Sequence, residues 1–222
     1  MKTAIVTGAS KGVGYATVKL LSQNGYKVIA VSRDLSRVSQ LESENVETYR
    51  LDITQPKEIE MFFQKYGHLS IDLLVNNAGG GASPTRIINE TMDNFKTAYE
   101  INVSGPMYLS QLFVPALKRS ESPTIVFVTS LSGKIPFRGG GNYSNAKRGE
   151  MALVDTMRME FPEYGIKVTE ICPGTIDTQE ESKPDSLTAE DMAEAIRWVG
   201  SLSKHFNVNH LEVSNILNSK FM

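Results

Sequence analysis

Residues 2–14 read Lys2-Thr3-Ala4-Ile5-Val6-Thr7-Gly8-Ala9-Ser10-Lys11-Gly12-Val13-Gly14, a short apolar run passing straight into a turn that holds three glycines. The run has the length and side chains of a buried strand. Glycines at 8, 12 and 14 give G-x-x-x-G-x-G. That pattern lets a backbone turn tightly, approach a pyrophosphate and aim the amides of the next helix at its charge. Val13, Ala16, Val18, Leu20 and Leu21 then give an apolar face to a helix over 13–24, Gly25 stops it, and a second apolar strand begins at Lys27. A glycine-rich turn alone is only a strand-to-helix loop. Here it lies inside a complete strand–helix–strand unit, the context such a turn requires to bind a dinucleotide.

Outward from this unit, apolar runs near 2–7, 27–32, 46–51, 71–76, 124–129, 166–172 and 210–214 alternate with helical patterns at 13–24, 34–43, 56–66, 91–118, 142–162 and 188–202. Such alternation predicts an α/β fold with a doubly wound parallel sheet. With 222 residues, 41% hydrophobic and 22% charged, and no linker or repeat, residues 1–222 are expected to form one domain with a sizeable core. Thr188 with Asp191 three residues on predicts a helix cap after a polar loop. A net charge of −2 argues against a nucleic-acid or anionic-membrane partner. No apolar run approaches the ~20 residues of a membrane helix, and the chain enters a strand directly after Met1, so a cytoplasmic location is expected. Cys172 lies in an apolar strand and reads as a small buried hydrophobe. His68, His205 and His210 have no metal-ligand spacing, and no metal site is expected.

The chemistry concentrates in Tyr143-Ser144-Asn145-Ala146-Lys147 and in Ser130, which ends the apolar strand over 124–128. Residues four apart share a helix face, so the Lys147 ammonium can sit beneath the Tyr143 phenol. A free tyrosine titrates near ~10, and a neighbouring cation favours its ionised form, making it usable as acid or base. Ser130 would polarise the same substrate oxygen, which suits alcohol–carbonyl interconversion.

Taken together, these motifs resemble the short-chain dehydrogenases/reductases over essentially the whole chain. The stretch 7–14 is similar to the family's cofactor loop, and Asn76-Asn77-Ala78-Gly79 to its signature after the fourth strand. Asn102 in Ile101-Asn102-Val103 matches its active-site asparagine, Ser130 precedes Tyr143 by the usual interval, and Pro173-Gly174-Thr175-Ile176-Asp177-Thr178 is similar to its P-G-x-x-x-T turn. The resemblance implies a Rossmann-type domain and hydride transfer with a nicotinamide cofactor. It implies a catalytic set of Asn102, Ser130, Tyr143 and Lys147, with Asn102 holding a water that links the lysine to solvent. For the cofactor it implies contacts from Gly8, Ser10, Lys11, Gly12, Val13 and Gly14, and from Asp52 and Ile53 around adenine. Asn76, Ala78 and Gly79 would flank the ribose, Lys147 would bond the nicotinamide ribose, and Pro173, Gly174, Ile176 and Thr178 would meet the nicotinamide. Asp52 could instead be a helix cap, and Asn102 a buried polar residue bonding its own backbone.

At the end of the second strand, where NAD-preferring folds carry a carboxylate, stands Ser32, followed by Arg33, with Lys11 in the glycine loop. Two cations could flank a 2′-phosphate, which favours NADP(H) over NAD(H); Asp34 opposes this. The stretch 179–187 is short for a substrate lid, so the site is expected to be open and the substrate a small or medium carbonyl or alcohol, a 3-oxoacyl thioester being one variant. Two other classes compete. A nucleotide-sugar epimerase fits poorly, because its glycines are spaced G-x-x-G-x-x-G, and a non-catalytic NADP(H) sensor has no need of Ser130, Tyr143 and Lys147. The helical stretches 91–118 and 142–161 carry apolar residues beyond one face, among them Tyr99, Met107, Leu109, Phe113, Met151, Leu153, Met157 and Met159, which predicts a homodimer or homotetramer.

Overall fold

A computed structural model describes residues 1–81, 84–177 and 187–215. Its centre is a seven-stranded sheet of order β3-β2-β1-β4-β5-β6-β9, every pairing parallel. The strands are β1 (Lys2–Thr7), β2 (Tyr26–Ser32), β3 (Val46–Arg50), β4 (Leu73–Asn76), β5 (Thr124–Val128), β6 (Lys167–Pro173) and β9 (His210–Val213). Between β6 and β9 two dipeptides, β7 (Ile176–Asp177) and β8 (Leu187–Thr188), pair separately. The expected doubly wound parallel sheet is therefore present, as a Rossmann-like unit with helices on both faces.

The continuous apolar runs follow from that layering, since a strand covered on both faces has no solvated side. Successive residues of β1 divide between two cores. Ala4 and Val6 join Val28 and Val75 beneath α1 (Gly12–Gln23) and α6 (Ala189–Ser201). Ile5 joins Ile29, Leu74 and Ile125 on the opposite face. That face is covered by α2 (Pro56–Tyr66), α4 (Gly105–Leu117) and α5 (Gly141–Glu160). Phe62, Phe113 and Phe127 are fully buried there, and each such side chain contributes about 1.5–3 kcal/mol. After β3 the chain returns to the other side of β1, so the connections that leave the C-terminal ends of β1 and β4 run to opposite faces of the sheet and open a crevice between them.

Two expected helices differ. Over 34–43 only a short 3-10 turn, Val38–Leu41, forms. Asp34 Oδ1 takes the Ser36 amide at 2.9 Å, and the Ser39 hydroxyl donates to the Ser36 carbonyl at 3.3 Å. These local bonds compete with a helix. The span 91–118 is not one helix: α3 (Met92–Tyr99) passes into a π-helical turn, Glu100–Ser104, before α4. Pro106 has no N–H to offer the Asn102 carbonyl four residues back, which breaks the regular ladder at that point. The cap at Thr188 forms as expected, its hydroxyl accepting from the Asp191 amide at 3.1 Å.

Candidate active site

At the C-terminal edge of the sheet lies a cavity of about 700 Å³. One wall is the turn after β1. Gly8 and Gly12 adopt φ of +67° and +53°, the left-handed region that side chains avoid. A Cβ on Gly14 would lie 2.3 Å from the Gly8 carbonyl oxygen, so this backbone can close only around glycine. Helix α1 starts here with no acidic residue in its first turn and no side-chain cap, which leaves its first amides free of protein anions. Ser10, Lys11 and Val13 line the same wall.

The neighbouring wall comes from the end of β2, where Ser32 is buried and Arg33 and Asp34 are exposed beside it. Ile53 closes the far side. Between Leu51 and Ile53 of that wall, the Asp52 carboxylate accepts from the Thr54 amide at 3.0 Å and hydroxyl at 2.8 Å, the behaviour of a turn cap. Asn76 faces inward, its amide donating to the Ser110 hydroxyl at 2.9 Å. Of the residues expected around the cofactor, Gly14 and Asn76 stand behind the cavity wall, while Gly8, Gly12, Ala78, Gly79, Pro173, Gly174 and Ile176 form it. Thr178 and nearly all of the loop over 179–187 lie outside the described residues.

The remaining wall holds the polar cluster. Ser130, Tyr143 and Lys147, from the end of β5 and the start of α5, face the cavity together. Lys147 Nζ stands 6.0 Å from the Tyr143 ring centroid, as one helical turn dictates. Lys147 is 3% exposed, and its ammonium donates to the Val128 carbonyl at 3.0 Å and to Glu150 Oε2 at 2.7 Å. Asn102, fully buried in the π turn, donates to the carbonyls of Gly80 at 2.6 Å and Ala98 at 2.7 Å, and accepts the Gly80 amide at 3.2 Å. It therefore clamps the loop after β4 from inside. A Cβ on Gly79 would meet Asn102 Oδ1 at 2.8 Å and Lys147 Nζ at 3.0 Å, so the close approach of that loop to the lysine needs glycine.

Sequence reasoning missed three members of this arrangement. The Thr7 hydroxyl donates to the Val75 carbonyl at 3.1 Å and accepts the amides of Asn77 and Ala78, both at 3.0 Å. The Asn77 amide group answers by donating to the Thr7 carbonyl at 2.9 Å. Glu150 is the third; its one sequence signal was a carboxylate three residues after Lys147 on a helix. Burial pushes its carboxyl up to about 7 against the pull of Lys147. Cys172 is buried, and burial raises its thiol to about 11, in keeping with a packing role.

A glycine turn at a helix start, a topological crevice and a Tyr–Lys–Ser cluster place the chain among Rossmann-like oxidoreductases. The short chain dehydrogenase family profile matches residues 2–186, and the chain belongs to that family. An uncharacterised oxidoreductase of Staphylococcus epidermidis is 29% identical over 224 residues, with 96% of each chain covered. Among solved structures, serine dehydrogenase from Escherichia coli superposes with a TM-score of 0.85 at 28% identity, covering 95% of this chain and 96% of that one. An alcohol dehydrogenase from the archaeon Thermococcus sibiricus, complexed with 5-hydroxy-NADP, gives 0.87 at 26% identity and 97% of each chain. No helix among the described residues is long and apolar enough to cross a membrane.

Proposed function

We propose that this protein is an NADP(H)-dependent oxidoreductase interconverting a small or medium carbonyl compound and its alcohol, with Tyr143 as the acid–base group. The observation that carries this reading is the convergence of Tyr143, Lys147 and Ser130 on the same cavity as the glycine turn. Bound there, the nicotinamide would supply or accept the hydride. The residues fit such a dinucleotide: the free amides of α1 suit its pyrophosphate, the glycines at 8, 12 and 14 let it approach, and Lys147 keeps one N–H for a ribose hydroxyl. Tyr143 would pass a proton to or from the substrate oxygen while Ser130 holds that oxygen. Asn102 would act by holding the loop that shapes the ribose pocket. The solved relatives named for serine and for alcohol dehydrogenation support an alcohol as the reduced partner. Loss of NADPH absorbance against a panel of carbonyl compounds tests the proposal; no turnover with any of them would count against it.

The NADP(H) preference rests on Ser32, Arg33 and Lys11 around the second wall, and relatives solved with NADP ligands support it. Replacing Arg33 by alanine is expected to weaken NADPH binding by about 1.5–3 kcal/mol and to leave NADH nearly unchanged. Fluorescence titration of both cofactors reads this directly, and equal weakening of the two would remove Arg33 from 2′-phosphate recognition.

We also infer a homodimer or homotetramer, on altered grounds. Leu109, Phe113, Met151 and Met157 are buried within the chain, which takes them out of any interface. Met159 (85% exposed) and Tyr99 (42%) remain, with Met107 and Leu153 half-buried, and are joined by Ile87 (69%), Ile88 (86%) and Met92 (68%) before and at the start of α3. Sedimentation at micromolar concentration should find a multimer; a fully active monomer would rule it out.

A further inference from the structure

The proposed acid–base step leaves one buried titratable group unused. Glu150 lies on α5 one turn beyond Lys147, is 1% exposed, and receives the Lys147 ammonium at 2.7 Å on Oε2. Its Oε1 is buried without a hydrogen-bond partner. An ionised carboxylate in that position is costly, and an apolar side chain of similar volume would serve the packing better. The carboxylate is thus explained by Lys147 rather than by the core.

The donor count shows what it does to the lysine. An ammonium has three N–H groups. The Val128 carbonyl takes one and Glu150 another, so the side chain is pinned from two sides and presents a single donor to the cavity. Glu150 also cancels charge. While it is ionised the pair is neutral; once protonated it leaves the full ammonium charge next to Tyr143. The charged groups acting on Glu150 are Lys147 on its own helix and Glu170 on β6. Glu170 is itself held by the Thr129 hydroxyl at 2.7 Å and the His210 ring at 2.6 Å. Lys134, at the end of the turn packed on α5, is engaged with Glu212 at 2.6 Å.

We propose that Glu150 is a positioning residue for the reaction: its carboxylate fixes the Lys147 ammonium below Tyr143 and offsets its charge, so that the protonation of Glu150 adjusts the acidity of the tyrosine. This rests on the reading of Tyr143 as the acid–base group. Burial supports it by bringing the carboxyl to about 7, where it changes state within the working range of an enzyme. The direction follows from charge. Removing the carboxylate leaves an uncompensated cation, which favours tyrosinate, so the tyrosine limb must move to lower pH.

The test compares wild type with Glu150→Gln, which keeps shape and an acceptor, and Glu150→Leu, which keeps only volume. Alcohol oxidation followed as kcat/KM against pH is expected to show the tyrosine limb displaced to lower pH in both variants. A merely structural role would lower the rate without moving the limb. The activity-free readout is the infrared carbonyl band of a protonated buried carboxyl, recorded on the protein without cofactor. It should grow in as wild type is taken below about pH 7 and be missing in both variants. A limb at the same pH in wild type and folded variants, or a wild-type band that titrates only in the ordinary glutamate range, overturns the proposal. If neither variant folds, the wild-type band still decides. A protein indifferent to Tyr143→Phe would instead overturn the proposed reaction, while the infrared titration would continue to report on Glu150.

Discussion

Tyr143→Phe is expected to lower turnover by about 10²–10⁴-fold, the usual contribution of a positioned acid–base group, with cofactor affinity almost unchanged. The substitution removes one oxygen and leaves a ring of the same size on the same face of α5. Lys147, pinned by Val128 and Glu150 rather than by the phenol, has no reason to move. Stopped-flow reduction of a carbonyl substrate together with NADPH titration separates the two effects. A Phe variant at the wild-type rate would eliminate Tyr143 as the proton carrier, whatever else the cavity does.

Lys147→Ala should produce a broader failure. Turnover falls because the cation beside Tyr143 is gone, and NADPH affinity falls because the N–H left for the ribose goes with it. The structure adds a third consequence, since Glu150 would be left as a buried carboxylate without its cation. Breaking such a pair from one side destabilises by up to about 3–5 kcal/mol where the carboxylate stays ionised, so urea unfolding well above neutral pH should show a loss of that order, shrinking as the pH falls and Glu150 takes up a proton. The double variant Lys147→Ala with Glu150→Leu should recover much of the stability and none of the turnover. Unchanged stability in the single variant would mean that Glu150 simply takes up a proton and that the pair contributes little to the fold.

Each of the seven expected runs became a strand of the sheet; β1, β2, β4 and β5 were legible because strands covered on both faces demand apolar runs, whereas the edge strands β3 and β9 mix polar with apolar residues and stay partly exposed. The glycine turn was legible for a similar reason: Gly8, Gly12 and Gly14 answer to backbone geometry that no other residue meets well. Spacing also sufficed for Tyr143 and Lys147, which one helical turn brings together. Competing short-range bonds were harder to read. Asp34, Ser36 and Ser39 look compatible with a helix until their side chains are seen to occupy the backbone. Leu109, Phe113, Met151 and Met157 counted as apolar surplus in the sequence because a period cannot reveal how deep a groove a helix sits in; all four are enclosed by their own chain. Glu150 escaped because a carboxylate on a helix ordinarily faces water, and only the packing of β6 against α5 shows that this one does not.

The ties between Thr7 and Asn77 bear on how a ligand meets the crevice. Four hydrogen bonds between 2.9 and 3.1 Å lock the ends of β1 and β4 together where the strand order reverses. The width of the opening is thus set when the chain folds, before anything enters it. A dinucleotide arriving there has little backbone to organise, and the ordering entropy that would otherwise be charged against its affinity has already been spent. The part of the groove beside this junction would thus be formed before either half of such a ligand enters.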